Sequence, residues 1–249
     1  GRRADALDGG HGTGAFLLLN TGARRVHSHK GLLTPIGCAQ AGAPAYALEG
    51  SVFIAGAAIQ WLRDGLGVIA NAKETEQLAR SVAGTGGVVF VPALTGLGAP
   101  HWVAEARGTV FGLTRGTTRA HLVRAALESM AFSIREVLDA MSSDAGLTLH
   151  DLKVDGGATA NDWMMQFQAD VLGFPVRRPD VLDSTAMGAA GLAGLATGVW
   201  KTARDFMAAR HYAEFAPGTM PAEQWNDWRR AVRATVAWAR DGGPAAPRG

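Results

Sequence analysis

Apolar residues recur at intervals of three and four positions between residues 123 and 141. This spacing places them on one face of an α-helix and predicts a long helix with a single buried stripe. Thr117 or Thr118 can cap its first turn, and Gly146 follows its last turn. The stripe consists of Val123, Leu127, Met130, Ile134, Val137 and Met141.

Shorter apolar segments on both sides of this helix predict the rest of the fold. Ahead of it, three closely spaced segments favour an antiparallel meander of strands. Behind it, strands alternate with helices, which is typical of an α/β sheet. The predicted strands are 15–20, 26–36, 46–48, 88–91, 152–154 and 176–178, and the other predicted helices are 51–63, 73–82, 161–172, 185–197, 202–210 and 222–240.

A meander, a helix and then a β-α-β-α run is the plan of a ribonuclease H-like α/β domain, with a mixed sheet and helices on both faces. No linker or repeat interrupts residues 13–240, so we expect one domain there. Residues 1–12 are polar and glycine-rich and are expected to be a lead-in, and residues 241–249 a disordered tail. Residues 93–118 form the longest irregular stretch, and loops of that length are usually functional or mobile.

Composition narrows the function classes. The chain has 249 residues, 18% of them charged, with a net charge of +2. Because no basic block forms, nucleic acid is not an expected partner. The single cysteine, Cys38, excludes an internal disulfide and suits a reducing compartment. We expect no membrane span and no signal peptide, and therefore a cytoplasmic protein.

A Gly-Gly turn joins the predicted strand 152–154 to the helix that starts near Asn161. Gly156 and Gly157 let the backbone bend and approach a ligand closely. The following helix directs its free N–H groups and its positive dipole end at the turn, where a phosphate or the polar edge of a nucleotide would fit. The alternative is a plain strand–helix connection with Asn161 as its cap.

Several motifs together resemble the C-terminal half of the FGGY carbohydrate kinases, and among them the members that phosphorylate glycerol. Each motif is weak alone, but the combination covers residues 12–240. The motifs are GTGAF at 12–16, YALEGSVF at 46–53, AGAAIQWLRD at 55–64, TGLGAP at 95–100, the glycine-rich segment 108–128, DGGA at 155–158 and QFQAD at 166–170.

The resemblance implies a fold similar to actin and the heat-shock chaperone ATPases, in which two ribonuclease H-like domains close over ATP and Mg²⁺. The half seen here holds most of the nucleotide, and the metal is held mainly through the phosphates. By position, Thr13 matches a residue near the terminal phosphates, and Gly56 and Gln60 match residues near the phosphates and the sugar. Gly157 and Asn161 match residues at the adenosine end. Taken singly, each could instead be an ordinary turn, solvent-facing or capping residue.

The same resemblance implies that Phe16 packs against the carbon chain of glycerol, although an aromatic in an apolar strand is more often simple core. It implies no catalytic residue here. The family's general base is an aspartate in a Gly-Asp-Gln stretch shortly before the glycine-rich hairpin, and the neighbours of Asp5 and Asp8 do not match it. No histidines have the spacing of metal ligands.

We therefore expect the nucleotide-binding half of an ATP:glycerol phosphotransferase, as a piece of a longer protein or a split gene product, and inactive alone. Two alternatives stay open. One is a kinase for another polyol or sugar, and the other is a nucleotide-binding module without catalysis. Association into a homo-oligomer also stays open.

Overall fold

The computed structural model describes residues 7–11, 14–37, 44–208, 210–220 and 222–242. In these residues the strands are β1 (Leu7–His11), β2 (Ala15–Gly22), β3 (Ile36–Gly37), β4 (Ala45–Val52), β5 (Val89–Val91), β6 (Thr109–Phe111), β7 (Leu152–Asp155), β8 (Val176–Pro179) and β9 (Tyr212–Phe215). The α-helices are α1 (Gly56–Asp64), α2 (Glu74–Arg80), α3 (Arg119–Ala145), α4 (Asp162–Leu172), α5 (Ser184–Ala196), α6 (Ala203–Ala208) and α7 (Ala222–Arg240). A 3₁₀-helix, Gly157–Ala160, precedes α4.

Seven strands form one mixed sheet in the order β3-β4-β2-β1-β7-β8-β9. Strands β4, β2 and β1 are antiparallel neighbours, whereas β1 runs parallel to β7 and β7 parallel to β8. A three-stranded meander extended by two parallel strands is the ribonuclease H-like arrangement. The predicted fold class is confirmed.

One strand of the meander differs from those predicted, whereas the predicted strands 15–20 and 46–48 fall within β2 and β4. Leu7–His11, expected to be part of a lead-in, form β1 in the middle of the sheet and bond to β2 and β7. The segment 26–36, expected to be the middle strand, is mostly irregular and joins the sheet through a bridge between Leu33 and Glu49 and through Ile36, the first residue of β3. The sequence of β1, LDGGH, gives no strand signal because it has two glycines and no β-branched or aromatic residue.

One boundary and two strands also differ from the prediction. Strand β4 continues through Val52, so α1 begins at Gly56 rather than at position 51. Part of the irregular stretch 93–118 is strand β6, which pairs with β5 in a separate two-stranded sheet. Strand β9 was not predicted. Of the expected tail, residues 243–249 lie outside the described residues.

Helix α3 packs against β2 and β4 and carries the predicted stripe, every member of which is at most 2% exposed. Thr118 accepts a hydrogen bond from the backbone of the first turn, and Gly146 ends the helix in the left-handed conformation with φ 62°. Both predicted ends are confirmed. No helix among the described residues is both long and apolar enough to cross a bilayer.

The two faces of β2 have different environments. Leu17 and Leu19 are completely buried on the face that α3 covers. Phe16 and Leu18 point to the opposite face, where their exposed fractions are 58% and 40%. An apolar surface therefore remains open on this face of β2.

An ion pair is buried beside the α3 core. Glu128 Oε1 accepts a hydrogen bond from Arg124 Nε at 2.9 Å, with side chains 9% and 12% exposed. Arg124 also donates to the carbonyl of Val82 and lies 5.0 Å from the centre of the Trp163 ring. Burial raises the pKa of Glu128 because the loss of hydration outweighs the attraction of Arg124.

Replacing Glu128 with glutamine is expected to remove one pH dependence of folding stability. The pKa of Glu128 in the folded protein lies above its ordinary value of 4.5, so between the two values the folded chain binds more protons than the unfolded chain. The contribution of Glu128 therefore becomes less favourable as pH rises through that window. Urea unfolding of both proteins between about pH 4 and pH 7 should show the free energy of unfolding of the variant increasing relative to that of the wild type as pH rises. A difference in unfolding free energy that stays the same across this pH range would contradict the prediction.

Candidate functional site: a cavity between four helices

A cavity of about 580 Å³ lies between helices α1, α2, α3 and α4. Pockets for nucleotide-sized ligands have volumes of roughly 300–1,000 Å³. The strand register explains its position. Val52, at the end of β4, pairs with Ala15, and Asp155, at the end of β7, pairs with Gly10. Because β4 and β7 end at the same end of the sheet, the connections to α1 and to the 3₁₀-helix start from that one end.

The cavity has an apolar floor and a polar rim. Its floor is formed by buried side chains from three helices, namely Ile59, Leu127, Met130 and Met164. Its rim is formed by polar and charged side chains, namely Gln60, Arg63, Lys73, Glu76 and Asn161. This combination suits a flat heteroaromatic ring whose polar edge and charged substituent reach the rim.

Helix α1 reaches the cavity with its N-terminal residue, Gly56. The cap residue, Ala55, makes no side-chain hydrogen bond to the first turn, and that turn contains no acidic residue. The first N–H groups of α1 therefore lack a side-chain acceptor, and they carry the positive end of the helix dipole. An anionic group near Gly56 would be stabilised by both effects.

The turn after β7 forms another wall. Gly156 has φ 86°, a conformation that favours glycine, and its carbonyl accepts hydrogen bonds from both the N–H and the hydroxyl of Thr159. Gly157 follows at the start of the 3₁₀-helix. A β-carbon added at Gly157 would meet no heavy atom within 4 Å. The glycine at position 157 is therefore not required by packing within the described protein.

Strand β8 supports this turn from behind. Arg178 Nη1 donates to the carbonyl of Thr159 at 2.7 Å and to Asp162 Oδ1 at 2.7 Å. The guanidinium lies 5.2 Å from the centre of the Phe215 ring, on β9. The 3₁₀-helix and the first turn of α4 are thus held by one side chain.

Asn161 joins two helices at the rim. Its Oδ1 accepts a hydrogen bond from Met164 N at 2.9 Å, so Asn161 caps α4 as predicted. Its Nδ2 donates to Thr75 Oγ1 at 3.1 Å, which connects it to α2. Each end of the amide is therefore engaged once, and each can make one more hydrogen bond.

The structure brings four of the predicted nucleotide-binding residues together, since Gly56, Gln60, Gly157 and Asn161 all line this cavity. Thr13 lies outside the described residues. Phe16 does not line the cavity and projects from the open face of β2. Their individual roles remain predictions.

The contribution of α2 was not predicted. Lys73, Thr75 and Glu76 line the cavity, but in the sequence they belong to the start of a short polar helix and give no separate signal. Only the fold brings α2 next to α4. Among the described residues, no three His, Cys, Asp or Glu side chains lie close enough together to hold a metal ion.

The sheet order and the cavity define a class. A ribonuclease H-like sheet with a ligand-sized cavity between the helices that follow its meander and its first parallel strand is the arrangement of the actin-like ATPase domains. Comparison with known proteins then gives the family. Residues 10–197 match the FGGY family of carbohydrate kinases, C-terminal domain. The chain belongs to this family.

Relatives of known name are similar along nearly the whole chain. A glycerol kinase of Paraburkholderia phymatum is 51% identical over 241 residues, which is 95% of this chain and 48% of that protein. A glycerol kinase of Oleidesulfovibrio alaskensis is 54% identical over 235 residues, covering 93% and 47%. The crystal structure of Plasmodium falciparum glycerol kinase with ADP superposes with a TM-score of 0.83 at 36% identity, covering 92% of this chain and 47% of that one. The chain spans about half the length of these relatives.

Proposed function

We propose that the chain is the C-terminal, nucleotide-binding half of an ATP-dependent kinase that transfers the γ-phosphate of ATP to glycerol, giving glycerol 3-phosphate. The observation that carries the proposal is the cavity, because it gathers four residues that the family resemblance assigns to the nucleotide. Identities of 51% and 54% to two glycerol kinases support glycerol over other acceptors.

In this proposal the adenosine lies on the apolar floor of the cavity. Asn161 offers one N–H and one oxygen lone pair to its polar edge. Gly157 leaves room for close approach of the nucleotide to the backbone. The phosphates then run towards the N-terminus of α1 at Gly56. The presence of ADP in the crystal structure of the Plasmodium falciparum relative supports a nucleotide as the ligand.

The metal ion is proposed to come with the nucleotide. Among the described residues, no group of three His, Cys, Asp or Glu side chains could hold a metal ion. Mg²⁺ is usually bound through one or two carboxylates together with substrate phosphates. It would neutralise the charge of the phosphates during transfer.

The acceptor and the catalytic base are proposed to lie mostly on a second domain. The described relatives are about twice as long as this chain, so they contain room for one. The open face around Phe16 and Leu18 supports a covering partner, because apolar side chains are 58% and 40% exposed there. Phe16 is then the contribution of this half to the acceptor site. A cytoplasmic location follows from the use of ATP.

Calorimetry with ADP and with ATP·Mg²⁺ tests the nucleotide-binding part directly. The chain should bind weakly, with a Kd of about 100 μM or above, which corresponds to a binding free energy no more favourable than about −5.5 kcal/mol. Weak binding is expected because the chain alone supplies one side of the site and no second domain closes over it. GTP at the same concentration serves as the comparison nucleotide. No heat of binding with any nucleotide at millimolar concentration would overturn the proposal.

A further inference from the structure

The orientation of the Asn161 amide is fixed by its two neighbours. Met164 N can only donate, so the atom that faces it must be the amide oxygen. The nitrogen then faces Thr75 Oγ1 at 3.1 Å. A flipped amide would direct its NH₂ group at the Met164 N–H and lose the cap of α4. The second N–H of the Asn161 amide, which does not bond to Thr75, therefore points in one fixed direction.

Thr75 is itself fixed. Its side chain is buried, with 2% of the residue exposed, and its hydroxyl donates to the carbonyl of Ala72 at 2.6 Å. With its proton committed to Ala72, the hydroxyl oxygen can only accept from Asn161. Asn161 therefore donates to Thr75, and Thr75 donates to the carbonyl of Ala72, just before α2. Neither the amide nor the hydroxyl can rotate without breaking one of these hydrogen bonds.

We propose that Thr75 is a positioning residue of the nucleotide site, acting on the nucleotide through Asn161. It holds the amide in one orientation, so that the remaining N–H and the remaining oxygen lone pair of Asn161 already point at the ligand before it binds. The inference rests on the proposed function, because it needs a nucleotide in the cavity. It adds a residue on α2, a helix to which neither the motifs nor the family resemblance gave a role.

A purely structural tie between α2 and α4 is the competing explanation. A second contact already links these helices, since Glu76 Oε2 accepts a hydrogen bond from Asp162 N at 3.2 Å. If Thr75 only holds the helices together, its loss should lower stability and leave binding by the folded protein unchanged. If it positions Asn161, its loss should weaken binding in protein that is still folded.

The variant Thr75→Val keeps the shape of the side chain and removes the hydroxyl. We expect the Kd for ADP to rise about three- to tenfold, the usual range when one neutral hydrogen bond is lost. Thr75→Ser restores the hydroxyl and should recover most of the affinity. Ser81→Ala is the matched control, because Ser81 Oγ also donates to a carbonyl three residues earlier but lies away from the cavity at the other end of α2.

The measurement is an ADP titration of the 249-residue chain followed by NMR, which tolerates millimolar affinities. In the Asn161→Ala background, adding Thr75→Val should change the Kd by less than about twofold, because neighbours acting as one unit are not additive. A thermal melt of each variant reports folding separately. An unchanged Kd in Thr75→Val, or the same loss with and without Asn161, would overturn the role of Thr75. Absence of ADP binding by the wild-type chain would instead overturn the proposed function.

Discussion

The 249-residue chain alone is expected to give no detectable glycerol-dependent release of ADP from ATP·Mg²⁺, although it is expected to bind the nucleotide. Transfer needs a carboxylate within hydrogen-bond reach of the attacking hydroxyl. Glu76 is the single acidic side chain on the described lining of the cavity, and it is engaged with Arg80 and with the backbone N–H of Asp162. It lies on α2 at the rim of the cavity, and both of its carboxylate oxygens accept hydrogen bonds from the protein. We therefore do not expect it to act as the base for a reacting hydroxyl.

The size of the expected loss follows from what is missing. A general base contributes about 10²–10⁴-fold to such a rate, and holding the two substrates together contributes more. Phosphoryl transfer depends on positioning and on charge stabilisation in a site closed to water, and this chain is proposed to supply one side of that site. Both losses together take turnover below the limit of a coupled assay.

A coupled ADP-release assay with and without glycerol checks this, with the full-length Paraburkholderia phymatum relative as the positive control. Calorimetry on the same preparation must find nucleotide binding, so that inactivity is not caused by misfolding. Glycerol-dependent turnover by the chain alone would mean that a base is present among its own residues.

Gly157→Val is expected to reduce nucleotide affinity by more than tenfold while the fold stays intact. The new side chain has room in the cavity, because a β-carbon at position 157 meets no heavy atom within 4 Å and the backbone φ is not in the left-handed region. The same space is where we place the nucleotide. A clash of one branched side chain with a ligand that must approach the backbone costs more than 1.4 kcal/mol, which is a factor of ten.

Gly84→Val is the matched control for this substitution. Position 84 also leaves a β-carbon without a neighbour within 4 Å and has no positive φ, but it does not line the cavity. The control should bind ADP like the wild type. Equal affinity of Gly157→Val and Gly84→Val, with unchanged thermal melting of both, would remove Gly157 from the nucleotide site.

Local patterns predicted well the elements whose signals are local. The apolar stripe of α3, its cap at Thr118 and its end at Gly146 are all contained in one segment, and each was confirmed. The same is true of Asn161 as the cap of α4. These features depend on neighbours within a few residues of each other.

Features that depend on distant neighbours were missed. Leu7–His11 form a strand because β2 and β7 bond to them on both sides. The two glycines in this segment leave no strand pattern in the sequence. Segment 26–36 is rich enough in apolar residues to look like a strand, yet it pairs with β4 only at its end, through Leu33 and Ile36. Thr75 touches Asn161 across 86 positions, a separation that no local pattern can report.

The candidate site was predicted in part for the same reason. Gly56, Gln60 and Gly157 lie within motifs that resemble the family, and Asn161 follows the motif at 155–158, so their roles could be predicted from the sequence. The floor residues Ile59, Leu127, Met130 and Met164 look like ordinary core in the sequence, and only the packing of three helices opens a cavity among them.

The two margins of the large sheet affect how the chain behaves in solution. One margin is β3, which has two residues, and the other is β9, which has four and includes Glu214. Short or charged margins offer few unpaired backbone groups to another chain, so strand-by-strand polymerisation is disfavoured. Self-association of the chain is therefore expected to occur through the broad side of the sheet around Phe16 and Leu18, and a detergent that coats apolar surfaces should reverse it.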